Sequence, residues 1–158
     1  CIRNGKLFGH NTDVIGFEHS FTPMLQPHQT HALILGTGGA AAAVKYVLDK
    51  LKINWLNVSR NADAANDIIT YHDIDEALIN KYNLIINCTP LGTYPDTDEA
   101  PALPYHLLTP AHYLFDLVYN PPETKFLLLG RQYGARIKNG YDMLTIQAEE
   151  NWKIWNAV

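Results

Sequence analysis

The stretch Gly36-Thr37-Gly38-Gly39-Ala40-Ala41 is the first part of this sequence that could do chemistry. It follows a short apolar run, Ala32-Leu33-Ile34-Leu35. It opens a segment over residues 40–51 whose apolar members, Ala40, Ala41, Val44, Val47, Leu48 and Leu51, recur at spacings of three and four. A glycine turn between a buried strand and an amphipathic helix is the setting of the dinucleotide fingerprint G-x-G-x-x-G/A. Gly36 permits the tight turn, Gly38 lets the backbone approach a pyrophosphate, and the small Ala41 lets helix and strand pack closely. The free N–H groups at the start of the helix favour phosphate charge. The bland alternative is a glycine turn that serves only close strand–helix packing.

The end of the next apolar run discriminates between dinucleotides. An NAD site usually places Asp or Glu there to accept from the ribose 2′-hydroxyl. This chain reads Asn57-Val58-Ser59-Arg60-Asn61 and has no carboxylate before Asp63. The planar fork of Arg60 can pair with a 2′-phosphate, and Ser59 and Asn61 can donate to it. The segment therefore favours NADP over NAD. Taken alone, Arg60 could also be a solvated loop arginine.

The elements that must hold these residues alternate along the chain. Strands are predicted at 32–35, 55–58, 84–87, 113–116 and 136–138, with a weak one at 69–71. Helices are predicted at 40–51, 62–68, 75–81, 126–133 and from Asp142 onward, where Leu144, Ala148, Trp152 and Trp155 share a face. Asn120-Pro121 reads as a cap followed by proline at the first helical position. Residues 90–110 hold five prolines and read as a loop with at most a short helix near 105–108. The rhythm predicts an α/β fold: a Rossmann-like, doubly wound, mostly parallel six-stranded sheet with helices on both faces. Residues 1–30, with a strand near Leu7-Phe8 and a helix over 15–25, fall outside it. They are read as a connector to something upstream, and 31–158 as the dinucleotide-binding domain.

Composition narrows the function classes. With 158 residues and 47% hydrophobic content, the chain can bury one full core. A net charge of −4 argues against a dedicated nucleic-acid or anionic-membrane binder. No apolar run approaches the roughly 20 residues of a membrane-spanning helix. Cys1 and Cys88 form no CxxC or disulfide framework, which fits a reducing cytoplasm. The histidines show no metal-ligand spacing, so no metal is expected, and no Gly-x-Ser-x-Gly elbow is present. Cys88 lies in the apolar run Ile85-Ile86-Asn87-Cys88 and reads as a packed small residue.

Several further motifs then align. They are Asn11-Thr12-Asp13, Asn87-Cys88-Thr89-Pro90-Leu91-Gly92, and Asp116-Leu117-Val118-Tyr119-Asn120-Pro121 with Thr124. Gly140-Tyr141-Asp142-Met143-Leu144 with Gln147 completes the set. With the glycine loop and Ser59-Arg60-Asn61, they resemble, in order, the cofactor-binding domain of the shikimate dehydrogenase family. The resemblance implies reversible NADPH-dependent reduction of 3-dehydroshikimate to shikimate in aromatic amino-acid biosynthesis. It implies that Asp13 partners a catalytic lysine and contacts substrate, and that Tyr119 and Gln147 also contact substrate. It places Gly36, Thr37, Gly38, Gly39, Ala40, Ser59, Arg60 and Asn61 at the cofactor. It sets Leu117 and Gly140 beside the nicotinamide, with Met143 walling that side.

Without the resemblance, Asp13 could be a helix N-cap, Tyr119 a strand-end tyrosine, Gln147 a solvated helix residue and Met143 core filler. Val14 stands where the family commonly has glycine, Thr93 where it often has methionine, and Ser59 and Asn61 flank the arginine in place of Asn and Thr. The family's serine clamp and lysine motif would lie upstream of Cys1, on an N-terminal domain. None of Lys6, Lys45, Lys50, Lys52 or Lys81 sits in a matching motif. The 158 residues are therefore expected to bind cofactor but turn over slowly or not at all. Trp152 and Trp155 are read as core or interdomain packing, and a last helix left without its partner domain would promote self-association. Two other readings stay open: a quinate/shikimate dehydrogenase with relaxed cofactor use, and a non-catalytic NADP(H)-binding module.

Overall fold

The computed structural model describes residues 1–156. Strands β1 (Ile2–Arg3) and β2 (Lys6–Leu7) form a hairpin. Its turn residues, Asn4 and Gly5, both have positive φ, as a two-residue hairpin turn requires. Helix α1 (Thr12–Phe21) follows and runs into a single 3-10 turn, Thr22–Met24. The Asn11 side chain caps α1 by accepting from the Asp13 N–H at 3.0 Å. The cap is thus Asn11, and Asp13 sits in the first turn with its carboxylate free for other work.

The alternating part comprises β3 (His31–Leu35), α2 (Gly39–Lys50), β4 (Asn54–Ser59), β5 (Ile68–Thr70), α3 (Glu76–Lys81) and β6 (Leu84–Asn87). It continues through β7 (Tyr113–Asp116), α4 (Lys125–Gln132), β8 (Arg136–Lys138) and α5 (Tyr141–Asn156). Six strands form one parallel sheet in the order β5-β4-β3-β6-β7-β8. Strand direction and pleat set the two faces. Ala32, Ile34, Leu84, Ile86, Tyr113 and Phe115 point to a layer built from α1, α2 and α5. Leu33, Leu35, Ile85 and Leu114 point to the layer of α3 and α4. Helices therefore cover both faces, as the periodicity predicts.

Three expectations need correction. Residues 62–68 do not form a helix. Asp63 caps one 3-10 turn, Ala64–Asn66, and exchanges two backbone hydrogen bonds with Ile68, while Asp67 adopts a left-handed conformation that returns the chain to β5. Asn120 does not cap α4. The Thr124 hydroxyl takes that role, accepting from the Leu127 N–H at 3.4 Å, while the Asn120 carbonyl accepts from the Tyr94 N–H. Trp152 and Trp155 are not core residues, being 67% and 68% exposed. The face of α5 turned to α1 instead carries the buried Met143 and, farther along, Asn151, whose Oδ1 accepts from the Thr12 hydroxyl at 3.2 Å, while Arg3 of β1 donates to the Ile154 carbonyl at 2.8 Å.

Helix α1 also does more than connect. Phe17 and Phe21, one helical turn apart, are fully buried, and Phe21 stacks on Tyr113 of the sheet at 5.3 Å between centroids. No helix among the described residues is long and apolar enough to cross a membrane.

Candidate functional site

Strand order reverses between β3 and β6: from β3 the chain crosses to β4 on one side, and from β6 to β7 on the other. In open parallel sheets this switch point leaves a crevice at the carboxyl ends of the strands. Two clefts occupy it here and share Cys88, Thr89 and Pro90, the residues that follow β6.

The first cleft, of about 350 Å³, lies between the glycine loop and the end of β4. Gly36, Thr37, Gly38, Ser59, Arg60 and Tyr71 line it. Gly36 has φ +103°, and a Cβ there would stand 3.1 Å from Thr89 Cγ2 and 3.3 Å from the Cys88 carbonyl. Glycine is therefore required at this position by both conformation and space. Gly38 and Gly39 differ: neither has a protein atom within 4 Å of where a Cβ would stand. Close packing does not explain them. They leave an open cradle over the start of α2, which has no side-chain cap, so that its leading N–H groups face outward for an anion. Asn57, fully buried on β4, anchors the loop from below by donating through Nδ2 to the Gly36 carbonyl at 2.6 Å. Its Oδ1 has no partner among the described residues.

The second cleft, of about 550 Å³, is lined by Ala40, Thr93, Tyr94, Leu117 and Tyr119 beside the shared residues. Tyr119 is 47% exposed at its mouth. Behind the cleft lies a buried polar network. Asp116 Oδ1 accepts from Asn87 Nδ2 at 2.9 Å and from the Val118 N–H at 3.0 Å, and Asp116 Oδ2 accepts from the Thr124 hydroxyl. Burial pushes the Asp116 carboxyl up to about 6, against the pull of those three donors. The Cys88 thiol is pushed up to about 12 by burial and the nearby Asp116, so it is an inert wall residue.

At the N-terminus of α1, Gln147 of α5 donates through Nε2 to Asp13 Oδ1. Gly16 brings this pair together. A Cβ at Gly16 would lie 2.6 Å from Gln147 Cγ and 2.8 Å from the Met143 carbonyl, so only glycine lets the two helices approach this closely. The same end of α1 borders the first turns of α2, where Asn11 and Val14 share a shallow hollow with Ala42 and Ala43.

The sequence-derived residues thus fall into three groups. Gly36, Thr37, Gly38, Ser59, Arg60, Ala40, Leu117 and Tyr119 line the double cleft, and Gly39 opens on its cradle. Asp13 and Gln147 meet as a separate pair. Met143 is buried in the core under Gly16, Gly140 packs against the Leu117 carbonyl, and Asn61 is exposed beyond the cleft lining. Sequence reasoning missed Tyr71, Gly16 and the Asn87–Asp116–Thr124 network. The motifs Asn87-Cys88-Thr89-Pro90 and Asp116–Pro121 with Thr124 contained the members of the last without linking them.

No protein-family model matches the chain. A shikimate dehydrogenase (NADP(+)) of Desulforamulus reducens is 33% identical over 98% of the chain and 59% of its own length. A crystal structure of a shikimate dehydrogenase in complex with NADP+ superposes with a TM-score of 0.84 at 29% identity, covering 99% of this chain and 60% of that one. The enzyme from Thermus thermophilus, solved with NADP(H) and shikimate, gives a TM-score of 0.80 at 27% identity, with 99% and 60% covered. The chain spans about 60% of the length of the curated relatives it matches. Fold, motif order and this similarity agree: over nearly its whole length the chain is similar to the C-terminal half of shikimate dehydrogenases.

Proposed function

We propose that this chain binds NADP(H) in the double cleft and forms the cofactor half of a shikimate dehydrogenase, which reversibly reduces 3-dehydroshikimate to shikimate. The observation that carries the reading is the open cradle at Gly38 and Gly39 with Arg60 across the same cleft. The leading N–H groups of α2 would take the pyrophosphate, and Arg60 with Ser59 the 2′-phosphate, while Tyr71 walls the adenosine side. Leu117 and Tyr119 line the far cleft where the nicotinamide would lie. The bound cofactor supplies the hydride, which is chemistry no side chain of the protein can provide.

The residues of this chain then orient and hold protons. Asp13, fixed by Gln147, presents a carboxylate that can hold and polarise an ammonium group. Gln147 and Tyr119 offer hydrogen bonds to substrate hydroxyls. The ammonium is assigned to a lysine of the N-terminal domain that the longer relatives carry. The exposed strip of α5 bearing Trp152 and Trp155 is read as facing that domain. The two free cysteines fit a reducing compartment.

Calorimetric titration of the chain tests the cofactor reading, with NADP+ expected to bind more tightly than NAD+. Equal affinities would remove the role of Arg60, and no binding of either would remove the reading. The activity test is NADPH oxidation with 3-dehydroshikimate by the full-length gene product, and an inactive product would leave a binding module.

A further inference from the structure

The two walls of the far cleft belong to different strands, yet one buried chain of hydrogen bonds joins them. On the β6 side, the Leu91 N–H donates to the Thr89 hydroxyl at 3.3 Å, and that hydroxyl donates to Asn87 Oδ1 at 2.6 Å. The Thr89 N–H donates to the same Oδ1 at 3.0 Å. The other end of the Asn87 amide donates to Asp116 on β7, and Asp116 Oδ1 in turn holds the Val118 N–H. Asp116 Oδ2 accepts from Thr124 at the start of α4. Asn87, Asp116 and Thr124 are all fully buried.

Each amide or carboxylate end has a donor or acceptor of the matching kind, so the orientation of the Asn87 amide is dictated by its neighbours. The turn 88–91 and the turn 117–119 have no shared backbone ladder beyond their strands. Farther out, the Tyr94 N–H bonds to the Asn120 carbonyl at 3.1 Å; at the base of the cleft the side chains of Asn87 and Asp116 make the link between the two turns. Neither residue lines the cleft.

We propose that Asn87 and Asp116 are a positioning pair that sets the width of the nicotinamide end of the cleft, and that Thr124 braces the pair from outside it. This rests on the cofactor reading above. It predicts a selective defect, because the glycine loop and Arg60 lie on other strands. Breaking the pair loosens the hold on the nicotinamide half of the ligand most; the adenosine half feels it only through the shared turn 88–91 and keeps the glycine loop and Arg60.

The test uses two probes on the same chain: NADP+, and 2′,5′-ADP, which carries only the adenosine end. Asn87→Ala removes the bridge. Thr124→Val keeps the volume and removes the outer brace together with the α4 cap, both away from the cleft lining, so it serves if Asn87→Ala fails to fold. Asp116→Asn keeps an acceptor oxygen for Asn87 and Val118 and is the conservative variant. The expected result is a loss of about fivefold or more in NADP+ affinity for Asn87→Ala and a smaller loss in the same direction for Thr124→Val. Affinity for 2′,5′-ADP should stay within about twofold throughout, and Asp116→Asn should bind both probes nearly as the parent does. A parallel loss of both probes would mean general destabilisation, and unchanged NADP+ binding would mean the cleft width is held otherwise. Either overturns the proposal. Failure of the parent chain to bind either probe would instead bring down the cofactor reading itself.

Discussion

Replacing Gly38 by alanine separates a glycine kept for a ligand from one kept for packing. The residue has φ −77° and ψ −173°, which alanine adopts without strain, and no protein atom lies within 4 Å of the new Cβ. As the N-cap of α2, alanine is worse than glycine by about 0.5 kcal/mol. Lowering the entropy of the unfolded chain returns about 0.4–1 kcal/mol. The two nearly cancel, so stability should change by no more than about 0.5 kcal/mol. The new methyl group nevertheless stands in the cradle where a phosphate would sit. Losing one hydrogen bond to a charged group costs about 1.5–3 kcal/mol, or roughly 10- to 150-fold in affinity.

Gly36→Ala is the control with the opposite signature. At φ +103°, with Thr89 Cγ2 at 3.1 Å, alanine is strained by about 1–3 kcal/mol in the fold itself. Urea denaturation and calorimetric titration with NADP+ read both quantities. If Gly38→Ala binds NADP+ as the parent does, the glycine loop is a packing device and the cofactor argument falls.

Other expectations follow from the same geometry. Arg60→Ala should weaken NADP+ by about tenfold or more, through loss of a charge-assisted pair, and leave NAD+ nearly unchanged; equal losses would remove the 2′-phosphate assignment. Gly16→Ala drives a methyl group against the Met143 carbonyl and should cost about 1–3 kcal/mol in urea denaturation, as overpacking does; an unchanged midpoint would mean that the close α1–α5 approach is not needed. The Asp116 carboxyl is raised from 3.8 to about 6, so the folded state holds its proton more tightly than the unfolded state. Its contribution to stability is present below the unfolded value and is lost as pH rises through about 6. Relative to Asp116→Asn, the parent should therefore gain about 1 kcal/mol of stability between about pH 7 and pH 5. A parent that loses stability against this variant on acidification would show that the hydrogen bonds outweigh burial.

The strands were the most legible part of the sequence. Buried parallel strands are short apolar runs stopped by glycine or polar residues, and 84–87 and 113–116 needed no tertiary information. Helix starts were less legible where several cap-forming residues compete. Asn120-Pro121 has a good capping sequence, but the Asn120 carbonyl is engaged by Tyr94 and the buried Thr124 hydroxyl caps the helix instead. Residues 62–68 carry helix-forming alanines, yet pairing of Asp63 with Ile68 outweighs the propensity.

Local order along the chain was enough to establish the glycine loop, its strand and helix, and the arginine that favours a 2′-phosphate. These are contacts among neighbours in sequence or across a single crossover, and their spacing is written in the chain. Tertiary structure alone decided which residues face one another across long separations. Gln147 meets Asp13, Gly16 makes that meeting possible, and Asn87 reaches Asp116 on the next strand. Nothing in residue type distinguishes the open Gly38 from the crowded Gly36. Only the packed fold, by what it places around each missing Cβ, tells a glycine that makes room for a ligand from one that makes room for the chain.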